Sequence, residues 1–426
     1  MTDKKPMLSV AEALEVILAA AHPRGASEVL PTLQANGRIL AAAQVSGLDV
    51  PPMDNSQMDG YAVRAADCAM VGDAAGGPAA RLKVAQRIPA GQVGKPLQPG
   101  TAARIFTGAM IPEGADAVVM QELCEAQQQA DGDWVRIRHA PAAGEWIRRR
   151  GEDIRAGSTI LAAGTRLRPQ ELGLAASVGL ASLTVVRRLR VAVFFTGDEL
   201  AMPGEALRPG AIYNSNRFLL RGLLENLGCD ITDYGIVPDT LQATRDTLRQ
   251  AAAGHDLIIT SGGVSVGEED HVKPAVEAEG RLNMWQIAMK PGKPLAFGTV
   301  FRAGAAGATG SADATFFLGL PGNPVSSFIT FLLFVRPFVL RLQGIADVAP
   351  KTYAMRADFA WTRADRRNEF LRVKRNAAGG LDLFANQGSA VLTSTVWGDG
   401  LVDNPPGQTI ASGDTVRFIP FADLLY

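Results

Sequence analysis

Residues 257–270 read LIITSGGVSVGEED. The apolar residues 257–259 predict a buried strand, and glycines, hydroxyls and carboxylates follow where that strand would end. Glycine lets backbone amides approach an anion closely, and ligands of open α/β sheets bind beyond the carboxyl ends of the strands. The stretch therefore predicts an α/β sheet with a pocket for a phosphorylated ligand, and its acidic end indicates a metal ion as well.

Strand and helix patterns alternate on both sides of this stretch. Predicted strands and helices take turns at 191–195, 217–227, 231–237, 241–253, 257–260, 297–301 and 315–320, with a last helix after Pro324. Such alternation is typical of a doubly wound parallel sheet with right-handed crossovers. We therefore expect this region to form a central α/β domain.

The flanking regions have different patterns. Ser9 and Glu12 form a capping-box pattern before an amphipathic helix, and short strands with many turns follow from about residue 45. Short strands return near the end of the chain, at 369–373, 391–395 and 415–419. The sequence thus predicts a multidomain α/β plus β fold with a β-rich N-terminal region and a small all-β C-terminal domain. The predicted domains are 1–45 with 148–186 (N-terminal helical and linker), 46–147 (β-rich), 187–345 (central α/β) and 346–426 (C-terminal β).

Bulk composition excludes several classes of protein. Lysine plus arginine nearly balances aspartate plus glutamate, with a formal charge of -1, which argues against a general binder of nucleic acid or anionic membranes. The cysteines Cys68, Cys124 and Cys229 lie far apart, so a disulfide framework or zinc site is not expected. The most apolar segment, 328–335, is shorter than the roughly 20 residues of a membrane span. We expect a soluble, cytoplasmic protein.

Three carboxylates follow predicted strands of the central sheet: Glu199, Asp239 and Asp270. At one sheet edge they would repel each other unless a cation were bound, and Mg²⁺ binds carboxylates together with substrate phosphates. The three residues therefore predict a magnesium site. The structural alternative is that Asp239, like Thr196 or Asp198, only caps the helix that follows.

Other segments have a functional and a structural interpretation. Lys290 and Lys293 lie on the stiff turn 290–294 (KPGKP), which is typical of an oxyanion clamp or, alternatively, of a solvated turn. Asp59 and Thr107 lie in glycine-containing segments that by themselves indicate ordinary turns. The charged run 148–153 fits an anion funnel or a solvated surface with internal ion pairs.

Together these segments resemble the MoeA and gephyrin E-domain family, the molybdopterin molybdenumtransferases, from about Ser9 to the C-terminus. The segments that carry the resemblance are MDGYAVR at Met58, RIFTGAMIPEGADAVV at Arg104, RRRGEDI at Arg148, TGDEL at Thr196, YNSNR at Tyr213, SGGVSVGEED at Ser261, KPGKP at Lys290 and PGNPVS at Pro321. Eight such strings in order make the match specific.

The resemblance implies an elongated homodimer, with a cleft between the central domain of one subunit and the β-rich region of the other. It implies insertion of molybdenum from molybdate into adenylylated molybdopterin, with Mg²⁺-dependent release of AMP. The expected partners are the pterin, molybdate, the upstream adenylyltransferase and recipient molybdoenzymes. The central domain is then a molybdopterin-binding domain.

The resemblance also implies roles for individual residues. Glu199, Asp239 and Asp270 would bind the metal and act in catalysis, and Asp59 and Thr107 would enter the cleft from the partner subunit. The residues expected to bind substrate are Ser215, Gly262, Gly263, Ser265, Lys290, Lys293, Pro321, Pro324, Ser326, Arg367 and Ser394. Lysine, arginine and hydroxyl donors suit a tetrahedral oxyanion.

Two departures and two alternatives accompany this interpretation. Phe195, which precedes TGDEL, is expected to narrow the mouth of the pocket, and residues 303–314 read as a local insertion that forms a loop. The main alternative is a non-catalytic cofactor-binding or gephyrin-like scaffold protein. A nucleotide-processing hydrolase that shares only the central domain is the other, but it leaves the flanking motifs unexplained.

Overall fold

The computed structural model describes residues 7–23, 26–68, 71–73, 77–264, 271–302 and 314–425. The predicted site residues Ser265 and Asp270 lie outside the described residues, as do residues 303–313 of the expected loop at 303–314. The first elements are α1 (Val10–Ala20), β1 (Ser27–Pro31) and β2 (Gln44–Val45).

Helix α1 begins at the predicted capping box. The backbone N–H of Ser9 donates to Glu12 Oε2 at 2.8 Å, and the N–H of Glu12 donates to Ser9 Oγ at 3.2 Å. Ala13 and Ile17 on the opposite face are fully buried in the main apolar core of the central sheet. Burial of this face fixes the first helix against the central part of the protein.

A β-rich region follows α1, as predicted. Its strands are β3 (Asn55–Ser56), β4 (Gly60–Val63), β5 (Val71–Asp73), β6 (Gly77–Ile88), β7 (Thr101–Ile105), β8 (Ala117–Met120), β9 (Cys124–Gln129) and β10 (Gly132–Ile137). The sheet order is β8-β4-β7-β6-β10-β9, and β5 pairs with β6. Separate apolar clusters around Val63 and around Ile105 pack this region.

The next segment returns to the start of the chain. Its elements are β11 (Ile147–Arg148), β12 (Thr159–Leu161), α2 (Pro169–Ser177) and β13 (Ser182–Val186). Strand β13 pairs antiparallel with β1, and β12 pairs antiparallel with β2. In the charged run, the exposed side chains of Arg149 and Arg150 pair with Asp54 and Asp49 at 2.7 and 2.6 Å. The exposure fits the solvated surface of the structural alternative, but these ion pairs are made with carboxylates outside the run. The domain bounds given above stay predictions.

The central region contains the alternating strands and helices. Its elements are β14 (Arg190–Thr196), β15 (Leu200–Ala201), β16 (Ile212–Tyr213), α3 (Ser215–Asn226), β17 (Asp230–Val237), α4 (Leu241–Gly254), β18 (Leu257–Ser261), α5 (Val272–Glu279), β19 (Gly280–Gln286), β20 (Met289–Lys290), β21 (Pro294–Phe301), β22 (Ala314–Leu320), α6 (Pro324–Thr330) and α7 (Arg336–Leu342). The main sheet has the order β17-β14-β18-β22-β21-β19.

The doubly wound parallel sheet is confirmed for β17, β14, β18 and β22, which pair in parallel. Strands β21 and β19 extend it with antiparallel pairs, so the sheet is mixed. Apolar residues of α3, α6 and α7 pack on one face, and those of α4 and α5 pack on the other. Helices on both faces leave the carboxyl ends of the parallel strands as the open edge.

The apolar helix after β22 is longer than the sequence indicated. It runs from Pro324 to Leu342 without a break at Arg336 and Pro337, because a π-helical turn at Phe331–Val335 joins α6 to α7. Its length and composition would suffice for a membrane span, but 89% of its most apolar window is buried inside the protein. It is therefore a core helix of the central region.

The C-terminal region is mainly β, as predicted. Its elements are β23 (Tyr353–Arg356), β24 (Asn368–Arg375), β25 (Leu381–Leu383), α8 (Thr393–Trp397), β26 (Gly400–Asn404), β27 (Thr415–Pro420) and α9 (Ala422–Leu425). The predicted strand at 391–395 was wrong, because helix α8 lies there. Ser394 Oγ donates to Val391 O at 2.6 Å and Thr395 Oγ1 to Leu392 O at 2.8 Å, which stabilises a helical turn despite the β-branched residues.

The central and C-terminal regions share a sheet. The two-residue strand β20 pairs in parallel with β24, and the C-terminal sheet order is β20-β24-β26-β27-β23. Lys290 lies opposite Glu369 in this register. The KPGKP segment is thereby fixed between the two regions.

Candidate active site

A cavity of about 960 Å³ lies at the carboxyl ends of β14, β18 and β22. Its wall is built from five loop segments and a few single residues: 212–216, 261–264, 290–294, 321–324 and 387–390, with Thr196, Glu199, Leu200, Ser326 and Arg367. The C-terminal region contributes Arg367 and residues 387–390, so the cavity lies between two regions of the chain. This is the sheet edge at which the sequence placed a ligand pocket.

Many of the predicted site residues line this cavity. They are Glu199, Ser215, Gly262, Gly263, Lys290, Lys293, Pro321, Pro324, Ser326 and Arg367. Asp59, Thr107, Asp239 and Ser394 do not line it, and Ser265 and Asp270 lie outside the described residues. The catalytic and binding roles of all these residues stay predictions.

The glycines of the wall are required by their conformation. Gly262 and Gly263 have positive φ angles of +94° and +65°, and Gly262 N donates to Leu320 O at 3.1 Å. A Cβ atom on Gly263 would lie 2.6 Å from Val272 Cγ2 and 2.8 Å from Thr196 Oγ1. Side chains are excluded here both by the backbone and by the neighbours, so the loop presents bare peptide groups to the cavity.

We expect Gly263→Ala to destabilise the protein by about 2 kcal/mol, because alanine is strained at positive φ and its methyl group overlaps two neighbours. Gly222 in α3 is the matched control, since a Cβ atom there meets nothing within 4 Å. Gly222→Ala should stabilise the helix by up to about 1 kcal/mol. Urea unfolding of both variants measures the difference, and equal stabilities would contradict this account of the loop.

The cationic side chains of the cavity have different surroundings. Lys290 Nζ lies 3.1 Å from Glu369 Oε1 and 3.8 Å from Asp365 Oδ2. Arg367 donates to both oxygens of Asp365 at 2.9 and 2.8 Å. Lys293 is exposed and makes no ion pair with a carboxylate of the described residues. Lys293 is therefore the cation that is most available to a ligand.

Asp365 is held ionised by its neighbours. The hydrogen bonds from Arg367 keep the pKa of the Asp365 carboxyl well below its ordinary value, although burial opposes them. The carboxylate orients the Arg367 guanidinium in a bidentate geometry. Arg367 therefore reaches the cavity as an oriented cation.

Glu199 and Asp239 follow neighbouring parallel strands. Thr196 and Val237 are register partners at the ends of β14 and β17, and Glu199 lies three residues beyond Thr196 while Asp239 lies two beyond Val237. The alternative that Asp239 caps α4 was wrong, because the cap is Thr240, whose Oγ1 accepts from Ala243 N at 3.3 Å. Asn214 caps α3. Helix capping therefore does not explain Asp198 or Asp239.

Within the described part of the chain, no group of three or more His, Cys, Asp or Glu residues could hold a metal ion. Because Asp270 lies outside that part, the predicted trio is represented only by Glu199 at the cavity and Asp239 near the same edge. Oxygen ligands of this type fit Mg²⁺, which also takes oxygens from substrate phosphates.

Asp59 and Thr107 lie together on the β-rich region. Asp59 Oδ1 accepts from the backbone N–H and the hydroxyl of Thr107, both at 2.8 Å. These hydrogen bonds, with the charge of Arg104, lower the pKa of Asp59. The pair forms an oriented, charged group, but it does not line the cavity of its own chain.

Ser394 is buried behind the wall rather than in it. Its Oγ accepts from Arg372 Nε at 3.1 Å, and Ser389 is the serine of this segment that lines the cavity. Phe195 was also wrongly expected at the pocket mouth, because its side chain is fully buried in the core between the sheet and its helices. Phe195 belongs to the apolar run of a predicted central strand, and both faces of such a strand are buried, so its burial could have been predicted.

The sequence interpretation missed several polar residues of the wall. Thr196, Asn214 and Asn216 line the cavity, and each is at least nine-tenths buried. Thr196 Oγ1, Asn214 Nδ2 and Asn216 Oδ1 have no hydrogen-bond partner within the part of the chain described above. The motif YNSNR contained both asparagines, and their place directly before the predicted helix at 217–227 was the available signal.

Comparison with known proteins covers nearly the whole chain. Residues 8–179 match the model of the MoeA N-terminal region (domain I and II), residues 192–341 that of a probable molybdopterin binding domain, and residues 354–421 that of the MoeA C-terminal region (domain IV). The three matches follow the order of the regions described above.

Named relatives agree with these matches. A molybdopterin molybdenumtransferase from Haemophilus influenzae is 38% identical over 406 residues, which cover 94% of this chain and 95% of that protein. A Nostoc protein of the same name is 40% identical over 322 residues, covering 75% and 70%. The crystal structure of a molybdopterin biosynthesis MoeA protein from Pyrococcus horikoshii has a TM-score of 0.80 at 26% identity, with 97% of this chain and 100% of that chain covered. The chain therefore belongs to the molybdopterin molybdenumtransferase family.

Proposed function

We propose that the protein inserts molybdenum from molybdate into adenylylated molybdopterin, with Mg²⁺-dependent release of AMP, and so forms the molybdenum cofactor. The observation that carries this proposal is one cavity that combines glycine loops, Lys293, Arg367 and Glu199 at the carboxyl edge of the sheet. A substrate with a phosphoanhydride and a second, tetrahedral oxyanion needs cations and peptide N–H groups as donors, and a carboxylate can hold the metal ion that accompanies the phosphates. The names of the relatives support the transfer of molybdenum to molybdopterin.

The wall offers separate donors for the two anions. We assign the peptide groups around Gly262 and Gly263 to the phosphates, because bare backbone can approach them closely. We assign Lys293, Ser326 and Arg367 to molybdate, which is a substrate here. These three side chains combine one exposed cation without an ion pair among the described residues, one oriented cation and one buried hydroxyl.

Glu199 and Asp239 would hold Mg²⁺, together with Asp270. A bound Mg²⁺ would offset the charge that develops on the cleaved phosphate. The position of Glu199 and Asp239 after neighbouring strands supports this assignment. The wall residues then act by charge and orientation, and no protein nucleophile is required.

The partner subunit would complete the site. Asp59 and Thr107 form an oriented pair that does not line the cavity of their own chain, which supports a homodimer in which the pair enters the neighbouring cavity. We also propose that the enzyme is soluble and cytoplasmic, and that it receives its pterin from an adenylyltransferase and passes the product to molybdoenzymes.

The test is a matched pair of neighbouring variants. Glu199 lines the cavity, whereas Asp198 is exposed and does not. With adenylylated molybdopterin, Mg²⁺ and molybdate, Glu199→Gln should lower AMP release at least about 100-fold, because a charge used in the transition state is lost. Asp198→Asn should keep the wild-type rate. Reconstitution of a molybdenum-dependent apoenzyme gives the second readout, and Asp270→Asn is expected to behave as Glu199→Gln.

A gephyrin-like scaffold or a simple cofactor carrier would give another result. Such a protein would bind the pterin but release no AMP, and both substitutions would leave apoenzyme activity unchanged. If Glu199→Gln released AMP at the wild-type rate, the protein would still be an enzyme, but Glu199 would have no role in the reaction.

A further inference from the structure

Asn216, the second residue of α3, is 8% exposed and lies between two loops of the cavity wall. Its Nδ2 donates to Gly322 O at 2.7 Å and to Ser261 Oγ at 2.8 Å. A backbone carbonyl can only accept, so the contact with Gly322 fixes which end of the amide is the nitrogen. The orientation of this side chain is therefore determined by the fold.

The hydrogen bonds continue beyond Asn216. Ser261 Oγ donates to Pro321 O at 2.9 Å, so that one connected set of bonds joins Asn216, Ser261, Pro321 and Gly322, which we call the Asn216 network. It connects the start of α3, the end of β18 and the loop after β22. All three of these segments contribute to the cavity wall.

The two loops joined by the network are the glycine loops of the site. They lie close together, because a Cβ atom on Gly322 would be 3.8 Å from Gly262 Cα. Their separation decides where the peptide groups around Gly262 and Gly322 can meet an anion. The bond from Gly262 N to Leu320 O holds the two loops together where they leave their strands. The bonds of Asn216 hold them together nearer the cavity.

The need to pair buried polar groups does not by itself explain why an asparagine stands at position 216. Its Oδ1 is buried and has no partner within the described residues, which costs free energy. The two bonds from Nδ2 stabilise the fold, but they leave this oxygen unpaired beside the cavity. A bidentate contact with both loops is what the amide provides in return.

We propose that Asn216 is a positioning residue for the reaction, acting through Ser261 and Gly322 to fix the distance between the two glycine loops that bind a substrate oxyanion. In this role Asn216 acts through the two loops and not on the reacting atoms. The proposal rests on the proposed function, since the loops must bind an anion of the substrate. It adds a role that the carboxylates and cations of the site do not fill.

The matched control is Gln343, another buried amide. Its side chain is 4% exposed and donates to Leu227 O at 2.9 Å, but it does not line the cavity. Asn216→Ala and Gln343→Ala should both lower the melting temperature. Only Asn216→Ala should weaken AMP binding about 10-fold or more and lower kcat/KM for the adenylylated pterin about 100-fold, since a small misplacement of binding groups is sufficient for such a loss.

Calorimetric titration with AMP, at a temperature where each variant is folded, measures the first effect. Ser261→Ala keeps the proposal testable if Asn216→Ala does not fold, because it removes one branch of the network. In a double-mutant cycle the two substitutions should be strongly non-additive in AMP affinity. Wild-type AMP binding by either single variant, or an equal loss in Gln343→Ala, would overturn the proposal. If the wild-type protein itself neither binds nor releases AMP, the proposed function fails, and the inference fails with it.

Discussion

Replacing Lys290 by methionine is expected to lower the free energy of unfolding by about 2 kcal/mol, whereas Lys293→Met should change it by less than about 0.5 kcal/mol. The two lysines lie three residues apart and line the same cavity. Lys290 pairs with Glu369, which is 1% exposed, and its loss leaves a buried carboxylate without its counter-charge. The effect is below the range for fully buried pairs because the Lys290 side chain is 39% exposed.

The partner of Lys290 provides the control. Glu369 also accepts from Trp361 Nε1 at 2.7 Å, so it keeps a hydrogen bond when the lysine is removed. In Lys290→Met combined with Glu369→Gln no unpaired charge remains, and the free energy of unfolding should recover most of the loss. Guanidinium unfolding of the single and double variants measures this coupling. No recovery in the double variant would show that the pair does not join the two regions.

For ligand binding the order of the two lysines should be reversed, with the larger effect at Lys293. Lys293 has no ion pair with a described carboxylate, so its charge is free for an oxyanion. Lys293→Met should weaken molybdate binding about 10-fold, the loss of one charge-assisted hydrogen bond. The sequence presented the two lysines as one clamp. The structure separates them because Lys290 lies opposite Glu369 across the β20–β24 pair, a contact between residues 79 positions apart.

Features decided by local sequence could be predicted well. The capping box of α1 depends on two residues three positions apart, and the strands β14 and β18 depend on short runs of apolar residues. Where local propensity and tertiary structure disagreed, the prediction was wrong. The β-branched residues around Ser394 indicated a strand, but side-chain hydroxyls and the buried guanidinium of Arg372 stabilise a helical turn there.

The cavity could be predicted only in part for the same reason. Residues that follow parallel strands meet at one edge by the rule of the fold, so Glu199, Gly262 and Pro321 could be identified together. Residues 387–390 reach the cavity only because the C-terminal sheet continues from β20. No hydrophobic periodicity or sequence motif indicates that β20 pairs with the C-terminal sheet. Asn216 was missed because its function depends on two carbonyl and hydroxyl partners from distant loops.

Arg372 should control this C-terminal part of the wall without contacting the substrate. It is 1% exposed and donates to three neutral acceptors: Ser394 Oγ at 3.1 Å, Gly388 O at 3.1 Å and Phe370 O at 3.3 Å. Its backbone N–H also donates to Gln387 Oε1 at 2.9 Å. Burial lowers the pKa of the guanidinium to about 10, so the group is costly to keep charged.

We expect Arg372→Met to lower kcat/KM about 100-fold, because Gly388 of the wall loses its hydrogen bond from the guanidinium, although the backbone bond to Gln387 remains. The free energy of unfolding should change by only about 1 kcal/mol, since removal of a buried charge offsets the lost hydrogen bonds. Arg375 on the same strand is the control. Its side chain is 62% exposed, and Arg375→Met should keep wild-type kinetics and stability.

Arg372→Lys distinguishes the charge from the shape of the side chain. Burial lowers the pKa of the wild-type guanidinium only to about 10, so the group is protonated at neutral pH. The same burial lowers the pKa of a lysine below its ordinary value, so the variant should lose its charge at a lower pH than the wild type. Below that pKa the ammonium still donates to Gly388, and activity should be partly retained; as pH rises through it, activity should fall while the wild-type profile stays flat. A pH–rate profile of the variant parallel to that of the wild type would show that the charge of Arg372 does not hold the wall, and only its packing would then remain as an explanation.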